Sequence, residues 1–330
     1  MAIFPYDFRI ATVLIFQLLS YLLVAFSASV PLALSITGVV FASLSSGLGE
    51  ITFLSLASHF DKNTISTWSS GTGGAGLVGA LAYAGIRQAG ISPRNAVLIQ
   101  LIVPLVMAVC FWFVMKMPES AYRPGWSPKT WLVPKKIDDE TTSIVNKSAV
   151  SQLTIKKKLL LIIPLLKYMV PLSLVYMAEY LINQGLQEFI VFCDIWLSKG
   201  DQYRWYQSCY QLGVLISRSS VNIIRIPELA LWLLPLLQFC NVGLFLMESI
   251  LLNIPSIWIV FAMIVFEGLL GGASYVNTFY HIRQKVSAAY VEYSLGVASV
   301  GDSFGILIAG FASLPIHDKI CQMSLPAHHY

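Results

Sequence analysis

Apolar runs long enough to cross a bilayer follow one another along this chain, with only short polar stretches between them. A membrane helix needs about 20 predominantly apolar residues, and runs of roughly 18 or more read as spans. About nine are present. Four lie near Ile10–Ser29, Pro31–Ala57, Gly71–Gln88 and Ala96–Met115, and five follow near Leu159–Phe192, Tyr203–Ser219, Leu229–Leu252, Pro255–Phe279 and Tyr293–Leu314. The fifth exceeds the length a span requires, so it is tilted, projects beyond the bilayer, or breaks at Pro171 or Gly185. Only 12% of residues are charged against 56% apolar, roughly half the charged share of a water-solvated domain. No single aqueous core could hide that surface, and the fold class is an all-α polytopic membrane protein.

The order is four helices (residues 1–115), a polar linker (116–158) and five helices (159–330). Lys116, Arg123, Lys129, Lys135, Lys136, Lys147, Lys156, Lys157 and Lys158 fall in the linker with few acids among them. Basic residues beside spans collect on the cytoplasmic side, so the linker marks the cytosol rather than a nucleic-acid site. It also fits anionic lipid, to which each nearby Lys or Arg adds about 1 kcal/mol. Parity then puts the N-terminus, the loop His59–Trp68, Arg225, and the run His281, Arg283, Lys285 in the cytosol as well. The odd helix count sends the C-terminus to the lumenal or outer side. The Asn146-Lys-Ser148 sequon, lying on the cytosolic linker, is expected to go unused. A helical bundle divided by a central cytosolic linker is the layout of two-lobed, major-facilitator-like transporters, with substrate held at midplane between the lobes. Such lobes normally match. Four helices against five, the first starting barely inside the chain, points to helices missing at the start.

The first apolar run lacks a basic leader and a small-residue cleavage site, so it reads as a span and not as a signal peptide. Cys110, Cys193, Cys209, Cys240 and Cys321 form no C-x-x-C pair, and His59, His281, His317, His328 and His329 add no metal spacing. Neither a disulfide framework nor a metal site is indicated.

An ionisable side chain inside a span costs about 2.5–3.5 kcal/mol on insertion and requires a cavity, an ion pair or a proton relay. Glu50, Glu179, Arg218, Glu267 and Asp302 lie in or beside spans. Helical spacing sets Tyr176, Glu179, Asn183 and Gln187 on one face of the fifth span. That stripe suits a cavity wall; a helix–helix hydrogen-bond seam is the plainer alternative. Glu267 shares its face with Ser274 and Thr278 beside Gly268, Gly271 and Gly272, small enough for a neighbouring backbone to come close. It either pairs with Arg218 or binds a proton. Arg218 itself suits a phosphate or carboxylate gripped through two parallel bonds, or an arginine reaching to the interface from the end of its span. Asp302, in Gly301-Asp-Ser-Phe-Gly305, fits a cap or a hydrogen bond at a tight helix crossing better than contact with substrate. Glu50 closes the stretch Ser45-Ser-Gly-Leu-Gly49, with proton binding and packing both open. Gly71-Thr-Gly-Gly-Ala-Gly76 matches the dinucleotide spacing, but that fingerprint needs a strand before it and a helix after it. Close helix packing is the better reading, with a helix N-terminus there still able to offer N–H groups to an anion.

Several segments resemble the battenin family of lysosomal membrane proteins: VVFASLSSGLGEITFLSL (Val39–Leu56), WSSGTGGAGLVGAL (Trp68–Leu81), AEYLINQGL (Ala178–Leu186), QYRWYQ (Gln202–Gln207), SRSS (Ser217–Ser220), EGLLGGASYVNTF (Glu267–Phe279) and LPIHDKICQMS (Leu314–Ser324). They occur in family order over nearly the whole chain apart from the linker. The resemblance implies a major-facilitator-type fold in late endosomal and lysosomal membranes. It also implies a role in clearing glycerophosphodiesters, the deacylated products of phospholipid breakdown, with a link to lysosomal pH. Such anions suit Arg218 of SRSS. The family's intramembrane glutamate falls on Glu179 and the acid of its last span on Asp302, and acids of this kind would couple export to the lumenal proton. No cofactor is implied. Family members begin with a polar tail and two further helices, which accounts for four against five. Cys321-Gln-Met-Ser324 matches a prenylation box, but Leu325–Tyr330 follow it, so prenylation is expected to fail. Glu140-Thr-Thr-Ser-Ile-Val145 matches an acidic dileucine signal only faintly.

Two function classes therefore stand: a transporter of small anionic solutes, and a non-transporting membrane scaffold or trafficking regulator in which the polar stripe is packing. A membrane-embedded enzyme lacks a nucleophile or metal constellation in the sequence.

Overall fold

The computed structural model of the protein describes residues 4–27, 31–61, 63–118, 121, 154–193 and 195–323. Arg123, Lys129, Lys135, Lys136 and Lys147 of the linker lie outside them, as do the sequon, Glu140–Val145 and the tail from Ser324 to Tyr330. The described residues are mostly helical and contain no strand. Seven helical segments among them are long and apolar enough to cross a membrane: Tyr6–Ala25, Leu32–Ala57, Pro93–Val114, Lys156–Phe189, Glu228–Leu251, Ile257–Lys285 and Val291–Gln322. Two more of the expected spans are helical, over Thr64–Gln88 and Lys199–Ser219. Glycines dilute the first of these and polar side chains the second, so neither matches the seven in apolarity. The chain is a polytopic helical membrane protein.

Prolines set the interruptions. A proline ring clashes with the carbonyl four residues back and removes one helical bond. The fourth expected span accordingly divides into α4 (Pro93–Ile99) and α5 (Ile102–Val109), with the gap at Gln100–Leu101 just ahead of Pro104. A short α6 (Ile155–Leu160) ends four residues before Pro164, and α7 (Leu166–Leu181) follows a 3-10 turn. Pro171 sits inside α7 without ending it, whereas the expected change at Gly185 is present as a turn of π-helix.

The chain forms two compact units. The first draws on Met1–Lys62, Gly85–Leu161 and Val286–Val297. Its α1 (Tyr6–Ala25) and α2 (Leu32–Ala57) pack as a pair, with the Ser45 hydroxyl donating to the Val13 carbonyl at 2.8 Å. Gly38 permits the approach, since a Cβ there would stand 2.9 Å from the Cβ of Leu23. Tyr6, Ile10, Leu14, Leu56 and Phe111 form its core. The Tyr6 hydroxyl donates to Glu292 at 2.7 Å, tying α1 to α11 (Val291–Ala298).

The second unit draws on Asn63–Ala84, Ile162–Lys285 and Ala298–Tyr330. It holds α7, most of α3 (Thr64–Gln88), α8 (Lys199–Ser219), α9 (Leu233–Leu251), α10 (Ile257–Lys285) and α12 (Val300–Gln322). Two crossings are tight enough to exclude a side chain. On α8 and α10, a Cβ at Gly213 would run into the Val265 carbonyl and one at Gly268 into the Tyr210 carbonyl. On α12, a Cβ at Gly305 would meet the Ser173 carbonyl of α7. Small residues that let helix backbones touch supply the van der Waals packing that holds bundles together in lipid, where no hydrophobic force separates helix from solvent.

Candidate functional site

The second unit contains a buried polar cluster built on the end of α7. After Leu181 the helix widens into a π turn at Ile182–Leu186, in which the Gln187 N–H reaches back five residues to the Ile182 carbonyl, and then tightens to 3-10 over Gln187–Phe189. Such turns occur as local insertions within helices, often at functional sites. The Asn183 amide partly compensates the altered ladder by donating to the Glu179 carbonyl at 3.2 Å.

Around this turn the side chains interlock. The Asn183 Nδ2 donates to Glu267 Oε1 at 3.1 Å and the Gln187 Nε2 to Glu267 Oε2 at 3.4 Å. From α8, Gln207 Nε2 donates to Asn183 Oδ1 at 3.3 Å and to Gln187 Oε1 at 3.1 Å. The Tyr203 hydroxyl donates to the Asn183 carbonyl at 3.2 Å. Tyr210, also on α8, donates its phenol to Glu179 Oε1. Glu179 and Glu267 are 1% and 0% exposed, so two carboxylates are shut away from water in one unit. No hydrogen-bond partner for Glu179 Oε2 stands among the described residues. Gly271 makes room for that carboxylate, because a Cβ there would collide with it. Tyr180, Asn183, Gln184, Tyr203, Gln207, Tyr210 and Gln211 line a cavity of about 240 Å³. That is smaller than the roughly 300–1,000 Å³ of a drug-sized site, and its wall is all amide and phenol.

Arg218, in the last turn of α8, turns into the unit. Its Nη1 donates to the Thr72 hydroxyl at 2.8 Å and its Nη2 to the Tyr176 hydroxyl at 2.9 Å, and its guanidinium lies 3.9 Å from the centre of the Tyr275 ring. Of the two readings of Arg218, these bonds fit the inward-facing one and not a reach to the interface. Nor does it pair with Glu267, whose carboxylate goes to Asn183 and Gln187. Tyr176, from the stripe on α7, is thus the residue that joins the stripe to the arginine.

The remaining sequence candidates separate. Glu50 is half-buried on α2, in the first unit. Asp302 is 3% exposed in the first turn of α12, where its carboxylate accepts from the Ser303 N–H at 2.5 Å and from the Ser303 hydroxyl at 3.2 Å. Gly301 and Gly305 on either side of it pack against α7. Gly71–Gly76 lies inside α3, which begins at Thr64, so its N–H groups are in mid-helix and not at a free end. There Gly73 and Gly76 fit against Leu215, Arg218 and Gln211 of α8, as close packing requires. Tyr203, Gln207, Tyr210, Thr72 and Tyr275 were not anticipated. The first three recur at helical spacing on α8, a polar face that the sequence shows once the helix is divided into faces.

The family model for CLN3 protein matches residues 1–323. Battenin of Canis lupus familiaris is 43% identical over 320 residues, covering 97% of this chain and 72% of that protein. Protein BTN1 of Yarrowia lipolytica is 38% identical, covering 96% and 80%, and Protein BTN1 of Eremothecium gossypii is 36% identical, covering 96% and 81%. With the match running through Glu179, Arg218 and Glu267 and across both units, the chain belongs to the battenin (CLN3 protein) family of multi-pass membrane proteins.

Proposed function

We propose that the protein is a lysosomal and late endosomal transporter that exports glycerophosphodiesters, with the lumenal proton coupled through buried carboxylates, in a two-lobed major-facilitator-type bundle. The observation that carries this reading is the Glu179–Tyr210 pair. A carboxylate buried in a span, with one oxygen open and a phenol linking it to a polar cavity, is costly unless it serves binding or proton movement. Arg218, held by Thr72, Tyr176 and Tyr275, supplies the positive charge that a phosphodiester needs. Family membership supports a lysosomal or vacuolar membrane protein.

The test is the glycerophosphodiester content of lysosomes purified from battenin-deficient cells re-expressing this chain, with its lysosomal abundance measured in parallel. Wild type is expected to clear the accumulated diesters, and Glu179→Gln and Arg218→Ala to leave them in place at equal abundance. Clearance by both variants would assign the cluster to packing and favour a scaffold.

A further inference from the structure

Within the cluster, the Glu267 carboxylate in its ionised form fixes the direction of three amides, those of Asn183, Gln187 and Gln207. Both oxygens of Glu267 accept, from Asn183 Nδ2 and Gln187 Nε2. Those two amides therefore turn their carbonyl oxygens the other way, toward Gln207. Gln207 meets them with Nε2, whose two hydrogens go to Asn183 Oδ1 and Gln187 Oε1. An amide has two N–H donors on one atom and one carbonyl acceptor on the other. With both donors used, the group that Gln207 has left for the cavity it lines is its carbonyl oxygen. Glu267 and Gln187 are 0% and 1% exposed, so water does not offer them other partners.

We infer that this cavity is a subsite for the hydroxyl-bearing end of the solute, read by the Gln207 carbonyl, and that Glu267 is the positioning residue that sets that carbonyl outward. The inference rests on the transport reading, which it deepens by dividing the solute between two places. The phosphodiester belongs with a cation, and the cavity wall named above contains none. Amides and phenols match a neutral polyol, and a volume of about 240 Å³ accommodates a glycerol-sized group. The Gln207 carbonyl then accepts a glycerol hydroxyl. A substitution at Glu267 that introduces a donor must reverse one of the two amides. The reversal turns the Gln207 carbonyl inward and presents an N–H to the cavity.

The test uses the purified chain in lipid nanodiscs and two probes: glycerophosphoethanolamine, and the same diester carrying a propyl group in place of glycerol. Wild type is expected to bind the glycerol compound about tenfold more tightly, the equivalent of one hydrogen bond with a good partner. Gln207→Leu and the near-isosteric Glu267→Gln are both expected to lose this preference, so that the two probes bind them with equal affinity. A packing role for Glu267 would weaken both probes alike. Preference retained in either variant overturns the inference, as does equal binding of the two probes by wild type, which would leave the transport reading standing. Binding of neither probe by wild type would overturn both.

Discussion

At the scale of single residues, the second unit contains a carboxylate whose state depends on one phenol. Tyr210→Phe removes the donor to Glu179 Oε1 and leaves a group that is 1% exposed without its neutral partner. Loss of such a partner costs about 1–3 kcal/mol. The variant is expected to melt several degrees lower in detergent and to lose diester clearance; an unchanged melt with normal clearance would show that the bond contributes to neither. Gly271→Ala attacks the same carboxylate from α10, where the added methyl would enter its place. Its expected effect on clearance matches that of Glu179→Gln, with the protein still reaching the lysosome.

At the scale of helices, the α8–α10 crossing rests on two glycines. A methyl at Gly213 or Gly268 would meet a backbone carbonyl that cannot turn aside. Overpacking of this kind costs about 1–3 kcal/mol, so Gly268→Ala is expected to lower the melting temperature, while Gly243→Ala on α9, with nothing within 4 Å of the new methyl, should not. The start of α8 has its own pH signature. Ser198 caps the helix by accepting from the Asp201 N–H at 3.3 Å, and the Asp201 carboxylate takes bonds from the Ser198 hydroxyl and from Arg204. The Ser198 bond first and Arg204 second hold the Asp201 carboxyl below its ordinary range. A depressed carboxylate stabilises the fold above its unfolded value and loses that contribution as pH falls through the folded one. The difference in melting temperature between wild type and Asp201→Asn is therefore expected to stay constant from neutral pH into the acid range and to vanish only below the usual aspartate titration.

How much of this the sequence shows differs by kind. Span positions follow from apolar length, and the stripe Tyr176, Glu179, Asn183 and Gln187 follows from helical spacing. Gly268, Gly271 and Gly272 announce a close approach. The partners do not follow, because polarity in a sequence marks that a side chain needs a bond and not where the bond is. Glu267 and Arg218, opposite in charge and both in spans, invite pairing, yet two amides and a threonine–tyrosine set take them separately. The π turn is equally hidden, since it changes the register of Asn183 and Gln187 without changing composition.

For the whole molecule, the basic linker and the order of helices carry a topology that labelling can check. Parity puts the segment after the fifth span on the lumenal side, and Cys193, exposed beyond its 3-10 end, reports on it. A variant keeping only Cys193 is expected to resist a membrane-impermeant maleimide applied to intact lysosomes and to react once detergent opens them. Labelling without detergent would reverse the orientation.

The widened turn at Ile182–Leu186 has a consequence for how this span tolerates change in length. A π turn absorbs one extra residue, so losing one residue there would let an ordinary helix close with the Gln187 N–H still on the Ile182 carbonyl and Gln187 near its place against Glu267. The shortened segment would have nearly the same composition and would still insert. Hydropathy would register nothing, and neither would a census of charged positions. Relatives with a one-residue gap inside this turn would therefore keep the amide circuit, whereas a gap within Leu166–Leu181 would swing its members about 100° off line. Gaps in the loops on either side would leave the circuit whole.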